Sequence, residues 1–180
     1  LGTTPVEGVR IVCVVTVELG RDAFERRAWA DAYELLTTVE AQQPLAAGDL
    51  EHLAIAAYLI GHDEASTRAW ERAHREFVRS GDPAEAARCA FWLALELVFQ
   101  GELARANGWL ARAATLVDES QRDCAARGYL LVPPVLEALE TGDPARAYAL
   151  AEEAAEIGRR LRDADLFALA RLARGQALIA

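Results

Sequence analysis

Two nearly identical tripeptides, Gly81-Asp82-Pro83 and Gly142-Asp143-Pro144, constrain the fold of this 180-residue chain most strongly. Glycine can adopt the left-handed conformation that ends a helix, aspartate can accept the free N–H groups of the next helix, and proline fits its first turn. Each tripeptide therefore predicts a tight corner between two helices. Softer versions of the same signal occur at Gly48-Asp49, 61–63, 101–102 and 163–165.

Between these corners the apolar residues recur at helical spacing, and no alternating strand pattern follows residue 20. Alanine, a strong helix former, accounts for 38 residues, and all 19 basic residues are arginine, although a GC-rich coding sequence would produce the same bias. We predict an all-α fold of about nine helices, joined by connections short enough to make consecutive helices antiparallel neighbours. The predicted helices are 19–28, 30–42, 49–60, 63–80, 83–100, 102–118, 122–141, 144–162 and 164–179.

The helices also repeat one another at fixed spacing. At an offset of 41 residues, Ala104-Arg105-Ala106 aligns with Ala145-Arg146-Ala147, and at an offset of 39, Trp70 aligns with Trp109. An interleaved set of helices repeats the dipeptide Ala-Arg at 87–88, 126–127 and 173–174. A helix pair repeated every ~35–45 residues is typical of an α-solenoid, whereas a closed bundle would need no repeat. The repeat favours an α-solenoid of antiparallel helix pairs.

Several short stretches carry a resemblance to a known family. They are WADAY at 29–33, LAIAAYLIG at 53–61, AWERAH at 69–74, ARCAFWL at 87–93, GWLARA at 108–113, DADL at 163–166, ARL at 170–172 and GQAL at 175–178. Together they resemble the tetratricopeptide-like half of actinobacterial LuxR-type transcriptional regulators, over about residues 20–180. The resemblance implies a tetratricopeptide-like α-solenoid. In such regulators further repeats and a DNA-binding helix-turn-helix follow, and this chain stops before either.

The resemblance also implies a function. We expect a non-catalytic interaction or effector-sensing module that binds a protein, a peptide or a small effector in the concave groove of the repeats. The alternative is a stand-alone tetratricopeptide adaptor with no role in transcription. No cofactor is expected for either.

Charge and motifs argue against other classes of function. The net charge of −9 makes direct nucleic-acid binding by this segment unfavourable, and the longest apolar run is far too short to span a membrane. Three cysteines without CxxC spacing are typical of reduced thiols in a cytoplasmic protein. No catalytic motif occurs, so we expect no enzyme. His62-Asp63-Glu64 could hold a metal ion, but helix capping explains the same residues and is favoured.

The two ends of the chain depart from the repeat pattern. Residues 1–18 contain a β-branched run that favours a strand without a partner, so we predict an irregular or poorly ordered leader before a repeat domain at 19–180. The last helix, 164–179, is apolar on more than one side and has no polar cap. We expect a repeat domain truncated at its C-terminal end, or a homodimer formed through this helix.

Candidate binding residues lie on the helix predicted at 83–100. Arg88, Trp92 and Glu96 follow one another at i, i+4 and i+8, along one face of a first helix in its pair. The resemblance implies that such first helices line the partner-binding groove, and Arg127 joins these three as a candidate. A solvated edge with a half-buried tryptophan is the competing interpretation, and we favour it.

Three further residue patterns have structural interpretations. The matching Arg88, Arg127 and Arg174 should pair with acids on adjacent helices, or else recognise an anionic partner. Trp70 and Trp109 should pack between helices. Pro133-Pro134 should kink or break the helix predicted at 122–141.

Overall fold

The computed structural model describes residues 5–120 and 123–180, with side chains from residue 15 onward except at residue 120. These residues form ten helical segments and no strand, which confirms the predicted all-α class. The segments are α1 (Pro5–Glu25), α2 (Trp29–Glu40), α3 (Ala47–Leu59), α4 (Asp63–Ser80), α5 (Pro83–Phe99), α6 (Leu103–Ser120), α7 (Ala125–Tyr129), α8 (Val132–Glu140), α9 (Pro144–Leu161) and α10 (Ala164–Ile179). No helix in this described part of the chain has the length and apolar character needed to cross a membrane.

The chain divides into two compact units, residues 1–80 and 81–180, and the predicted repeat domain spans both. In the first unit α1 packs against α2, and α3 against α4. In the second unit α5 packs against α6, and α9 against α10. The α-solenoid stays a prediction.

The two Gly-Asp-Pro corners form as the sequence predicts. Gly81 and Gly142 adopt positive φ angles of 78° and 74°. The Asp82 carboxylate accepts the backbone N–H of Glu85 at 3.3 Å, and Asp143 caps the start of α9 in the same way at 3.0 Å. Both prolines lie in the first turn of their helices, where no backbone donor is lost.

The repeated residues occupy equivalent environments within their helices. Ala87, Ala126 and Ala173 are all buried, and the arginine that follows each of them is half-buried. Ala106 and Ala147, aligned at the offset of 41, are both fully buried. The repeated alanines therefore indicate which side of each helix faces the interior of its unit.

The two aligned tryptophans differ in depth. Trp70 is 2% exposed, which confirms its predicted place in the core. Trp109 packs against a core cluster but is only half-buried, and the guanidinium carbon of Arg112 lies 4.5 Å from its ring centre. Trp109 is therefore a packed residue at the edge of the core.

The beginning of the chain differs from the predicted irregular leader over residues 1–18. Helix α1 runs from Pro5, so residues 5–18 are helical, and residues 1–4 lie outside the described residues. Its last turns are held by Ala23, which is buried in one cluster with Ala32 of α2. β-branched residues disfavour a helix by only a fraction of a kcal/mol each, so their preference is too weak to exclude a helix here.

The predicted corner at Gly48-Asp49 falls inside a helix, because α3 already begins at Ala47. Asp49 is buried at 4% exposure and accepts two hydrogen bonds from Arg21 of α1, at 2.6 and 2.8 Å. This two-pronged ion pair joins α1 to α3, which is a role that the sequence does not predict for Asp49.

The helix predicted at 122–141 is divided into α7 and α8, with the break at residues 130–131. Pro133 and Pro134 lie in the first turn of α8. In a continuous helix these prolines would lack two backbone N–H donors and would clash with the preceding turn. In the first turn of α8 no helical hydrogen bond is lost, because those N–H groups have no partner in the helix. The predicted break is confirmed.

Helix α10 has apolar residues on two sides, as predicted. Leu166, Ala170 and Ala173 are buried, whereas Leu172 and Leu178 are 62% and 70% exposed. The predicted truncation and homodimer stay predictions.

Candidate partner-binding site

A three-ring aromatic cluster lies where α5 and α7 meet in the second unit. Phe91 and Tyr129 are 2% and 1% exposed, and their ring centres are 4.9 Å apart. Trp92 is half-buried and contacts both rings edge-on, with ring centres 5.4 Å from Phe91 and 5.5 Å from Tyr129. Trp92 is therefore the outer ring of the cluster. We call Arg88 and Trp92, with the two buried rings beneath them, the Trp92 surface.

A close approach at Gly128 positions Tyr129 for this cluster. A Cβ atom at Gly128 would lie 2.5 Å from Leu166 of α10 and 3.2 Å from Ile157 of α9. Only a residue without a side chain lets α7 come this near to α9 and α10. The short helix is thereby fixed, and the next residue, Tyr129, is placed under Trp92.

The hydroxyl of Tyr129 is anchored to the start of α10. It donates to Asp163 Oδ1 at 2.9 Å, and the same oxygen accepts the backbone N–H of Leu166 at 2.8 Å. Burial, followed by the negative charge of Asp163, raises the pKa of Tyr129 well above its ordinary value, while the positive charge of Arg88 opposes this shift. Tyr129 is thus a neutral hydrogen-bond donor and a fixed support for Trp92.

Arg88 lies at the edge of the Trp92 surface with its side chain 22% exposed. Its Nε donates to Glu85 Oε2 at 2.8 Å, one turn earlier in the same helix. Glu85 is on the same helix as Arg88, so this ion pair is not the predicted pairing with an acid on an adjacent helix. Both Nε and Nη2 of Arg88 take part in this pair.

The sequence predicts Glu96 as a further residue of the surface, but the structure places it in the interior at 7% exposure. The reason is the helical repeat: eight residues at ~100° each turn Glu96 by ~80° away from Arg88. The i, i+4, i+8 series is therefore not a single exposed face. Glu96 is a buried residue of α5 and does not line the Trp92 surface.

Arg127, the fourth candidate, is half-buried and directed to the end of another helix. Its Nη2 donates to the carbonyl oxygen of Val117 at 3.3 Å, in the last turn of α6. A cation at the C-terminal end of a helix is favourable because it meets the unsatisfied carbonyl groups there. This contact supports a structural role that links α7 to α6.

The third arginine of the predicted series behaves as the pairing interpretation requires. Arg174 Nη1 on α10 donates to Glu152 Oε2 on α9 at 2.5 Å, and this hydrogen bond raises the pKa of Arg174. The three equivalent arginines thus make different contacts. Arg88 binds an acid of its own helix, Arg127 a backbone carbonyl, and Arg174 an acid on the adjacent helix.

Sequence reasoning did not single out Tyr129 or its link to Asp163. The two residues are 34 positions apart, so no local spacing connects them. The sequence places Asp163 in a helix corner and in one of the stretches that carry the resemblance, and neither points to Tyr129. The fold is needed to show that this corner also supports an aromatic cluster.

The described residues contain no group of three or more His, Cys, Asp or Glu side chains that could hold a metal ion. Helix α4 begins at Asp63, as the capping interpretation of His62-Asp63-Glu64 expects. The His62 ring lies edge-on to Tyr33 with centres 4.8 Å apart. Neither a protein-family model nor a curated protein matches this chain.

Proposed function

We propose that this chain is a non-catalytic helical-repeat module that binds a protein, peptide or small-effector partner at the Trp92 surface. The observation that carries the proposal is a half-buried tryptophan seated on two buried aromatic rings and flanked by an arginine. Tryptophan, tyrosine and arginine are the residues that most often dominate binding energy at protein interfaces. Arg88 and Trp92 are the two sequence candidates that form this surface, whereas Glu96 is buried and Arg127 contacts the end of α6.

The Trp92 surface is ordered before any partner binds. Trp92 is held by ring contacts to Phe91 and Tyr129, and Tyr129 is held by Asp163. A side chain that is already fixed loses little conformational entropy on binding, so more of its contact energy contributes to affinity. The buried support beneath Trp92 therefore favours recognition over a passive surface role.

The link to transcription rests on the resemblance to LuxR-type regulators. In that setting, binding at the Trp92 surface would be transmitted to a DNA-binding part outside this chain. A stand-alone tetratricopeptide adaptor would use the same surface. The reading frame after Ala180 distinguishes the two, because a regulator would encode further repeats and a basic helix-turn-helix.

Affinity capture from a lysate of the source organism tests the proposed surface. Four immobilised baits are compared: the wild-type chain, Trp92→Ala, Arg88→Gln and Trp109→Ala. Trp109 is the matched control because it is also a half-buried tryptophan of the second unit, next to Arg112. We expect one partner on the wild-type and Trp109→Ala baits that is lost from Trp92→Ala and reduced on Arg88→Gln.

Circular dichroism of each bait ensures that folded chains are compared. A partner that remains equally on Trp92→Ala, or that disappears equally from Trp109→Ala, would contradict the assignment of the Trp92 surface. In the first case the partner binds elsewhere on the chain. In the second case the substitutions act through general stability.

A further inference from the structure

A concave feature lies between α9 and α10 of the second unit. It is a cleft of about 210 Å³. Its polar walls come from both helices, and one aromatic ring contributes to them. The residues that matter for the argument are Glu152, Glu156, Arg159, Phe167, Arg171 and Arg174.

The charges in this cleft do not balance. Two of its three arginines are paired with glutamates of α9: Arg159 with Glu156, and Arg174 with Glu152. Among the residues that the structure describes, no carboxylate pairs with Arg171. The cleft thus holds three guanidinium groups against two carboxylates, on a chain whose net charge is −9. A positive cavity on an acidic protein attracts small anions.

The unpaired guanidinium lies beside a fixed aromatic wall. The guanidinium carbon of Arg171 is 5.7 Å from the centre of the Phe167 ring. Phe167 is half-buried and packs against the cluster that contains Tyr129 and Leu166. Its ring is therefore held in place, and it offers an apolar surface next to a cation whose donors are directed by a rigid planar fork.

We propose that the α9–α10 cleft is a binding site for a small organic anion, with Arg171 holding a carboxylate or phosphate group and Phe167 contacting the organic part. Guanidinium groups bind both kinds of oxyanion in a two-pronged geometry. Arg159 and Arg174 keep unused donors beyond those bound to Glu156 and Glu152, and these can add to the site. The inference does not depend on the proposed function, since neither Arg88 nor Trp92 lines this cleft.

A cavity in the first unit shows that an arginine at a cleft does not by itself make an anion-binding site. A space of about 250 Å³ in the first unit is lined by Arg21 and Asp49, among others. There both oxygens of Asp49 already accept hydrogen bonds from Arg21. That arginine is neutralised by the protein itself, whereas Arg171 is not paired with an acid of the described chain.

Three small probes test the site by two-dimensional NMR titration of the full chain: phenyl phosphate, inorganic phosphate and benzoate. We expect phenyl phosphate to shift the signals of Phe167 and Arg171 and to bind several-fold more tightly than inorganic phosphate, because only the former can contact the ring. Benzoate separates carboxylate from phosphate preference, and the stronger of the two aromatic probes identifies the class of anion.

Two substitutions distinguish a specific site from general charge. Arg171→Gln should weaken phenyl phosphate by at least about tenfold, the effect of losing a charge-assisted hydrogen bond. Arg112→Gln is the matched control, because Arg112 is also an exposed arginine over an aromatic ring of the same unit. It should leave the affinity unchanged.

Three results would overturn the proposal. One is the absence of shifts at Phe167 and Arg171 with any probe at millimolar concentration. Another is an equal loss of affinity in Arg112→Gln and Arg171→Gln, which would indicate nonspecific attraction of anions. The third is equal affinity for phenyl phosphate and inorganic phosphate, which would show that Phe167 does not contact the organic part of the anion.

Discussion

The tripeptide Ala-Arg-Gly occurs in both α7 and α10, and its two copies have different roles. In each copy the alanine is buried and the arginine is half-buried. The glycines differ: a Cβ at Gly128 would lie 2.5 Å from Leu166, whereas a Cβ at Gly175 would meet nothing within 4 Å. The residues that follow differ as well, because Tyr129 is buried and Gln176 is exposed.

This difference shows what a sequence repeat does and does not determine. The repeated alanine and arginine set which side of the helix faces inward, since that follows from helical geometry alone. Whether the glycine is needed depends on how near a neighbouring helix comes, and this is decided by residues far away in the sequence. Substitutions in the two copies should therefore have opposite effects on stability.

The largest effect is expected at Gly158 of α9, a second closely packed glycine of this unit. A Cβ there would lie 2.8 Å from the backbone nitrogen of Phe167, which cannot move without displacing α10. We expect Gly158→Ala to lower the free energy of unfolding by about 3 kcal/mol. Urea denaturation followed by circular dichroism measures it, and a loss below that of Gly128→Ala would show that α9 and α10 are not this close.

Gly128→Ala tests the comparison itself. The nearest atom is the end of the Leu166 side chain, which can yield more easily than backbone, so we expect a loss of about 1–2 kcal/mol. The same denaturation experiment applies. If Gly128→Ala were as stable as the wild type, the contrast between the two tripeptides would disappear.

Tyr129→Phe removes the buried hydroxyl of the residue that follows Gly128. The corresponding residue in α10, Gln176, is exposed. Losing the hydrogen bond to Asp163 should cost about 1 kcal/mol near neutral pH. Because burial raises the pKa of folded Tyr129 above the ordinary 10.0, the unfolded tyrosine ionises first and wild-type stability falls as the pH rises past that value. The difference from Tyr129→Phe should therefore shrink above pH 10, and a constant difference would contradict the buried hydroxyl.

Gly175→Ala should have the smallest effect and the opposite sign. With open space around the site, alanine keeps its better helix propensity, so we expect a gain of about 0.5–1 kcal/mol. Thermal unfolding compared with Gly128→Ala gives the sign directly. A loss of stability at both positions would mean that the two glycines are equivalent after all.

Much of the secondary structure could be predicted from local sequence. The corners at Gly81-Asp82 and Gly142-Asp143 are set by residues that are adjacent in the chain, so their chemistry is visible without a fold. The helical course of residues 5–18 differs from the predicted irregular leader, since the strand preference of β-branched residues is weak.

The candidate site could be predicted only in part. Arg88 and Trp92 are four residues apart on one helix, so helical spacing alone predicts that they are neighbours. The same spacing gives a wrong prediction for Glu96, because eight residues rotate it by ~80° around the helix axis, into the interior. The support of Trp92 by Tyr129 and Asp163 joins distant parts of the chain. That Arg171 pairs with no carboxylate among the described residues is likewise known only from the structure.

Site-specific photo-cross-linking in the source cells tests the central claim most directly, that Trp92 marks a binding surface. The photoreactive residue p-benzoylphenylalanine replaces Trp92 in one variant and Trp109 in another, and the adducts are identified by mass spectrometry. We predict a discrete adduct from position 92 that is absent from position 109. No adduct at position 92, or the same adducts from both positions, would contradict the claim.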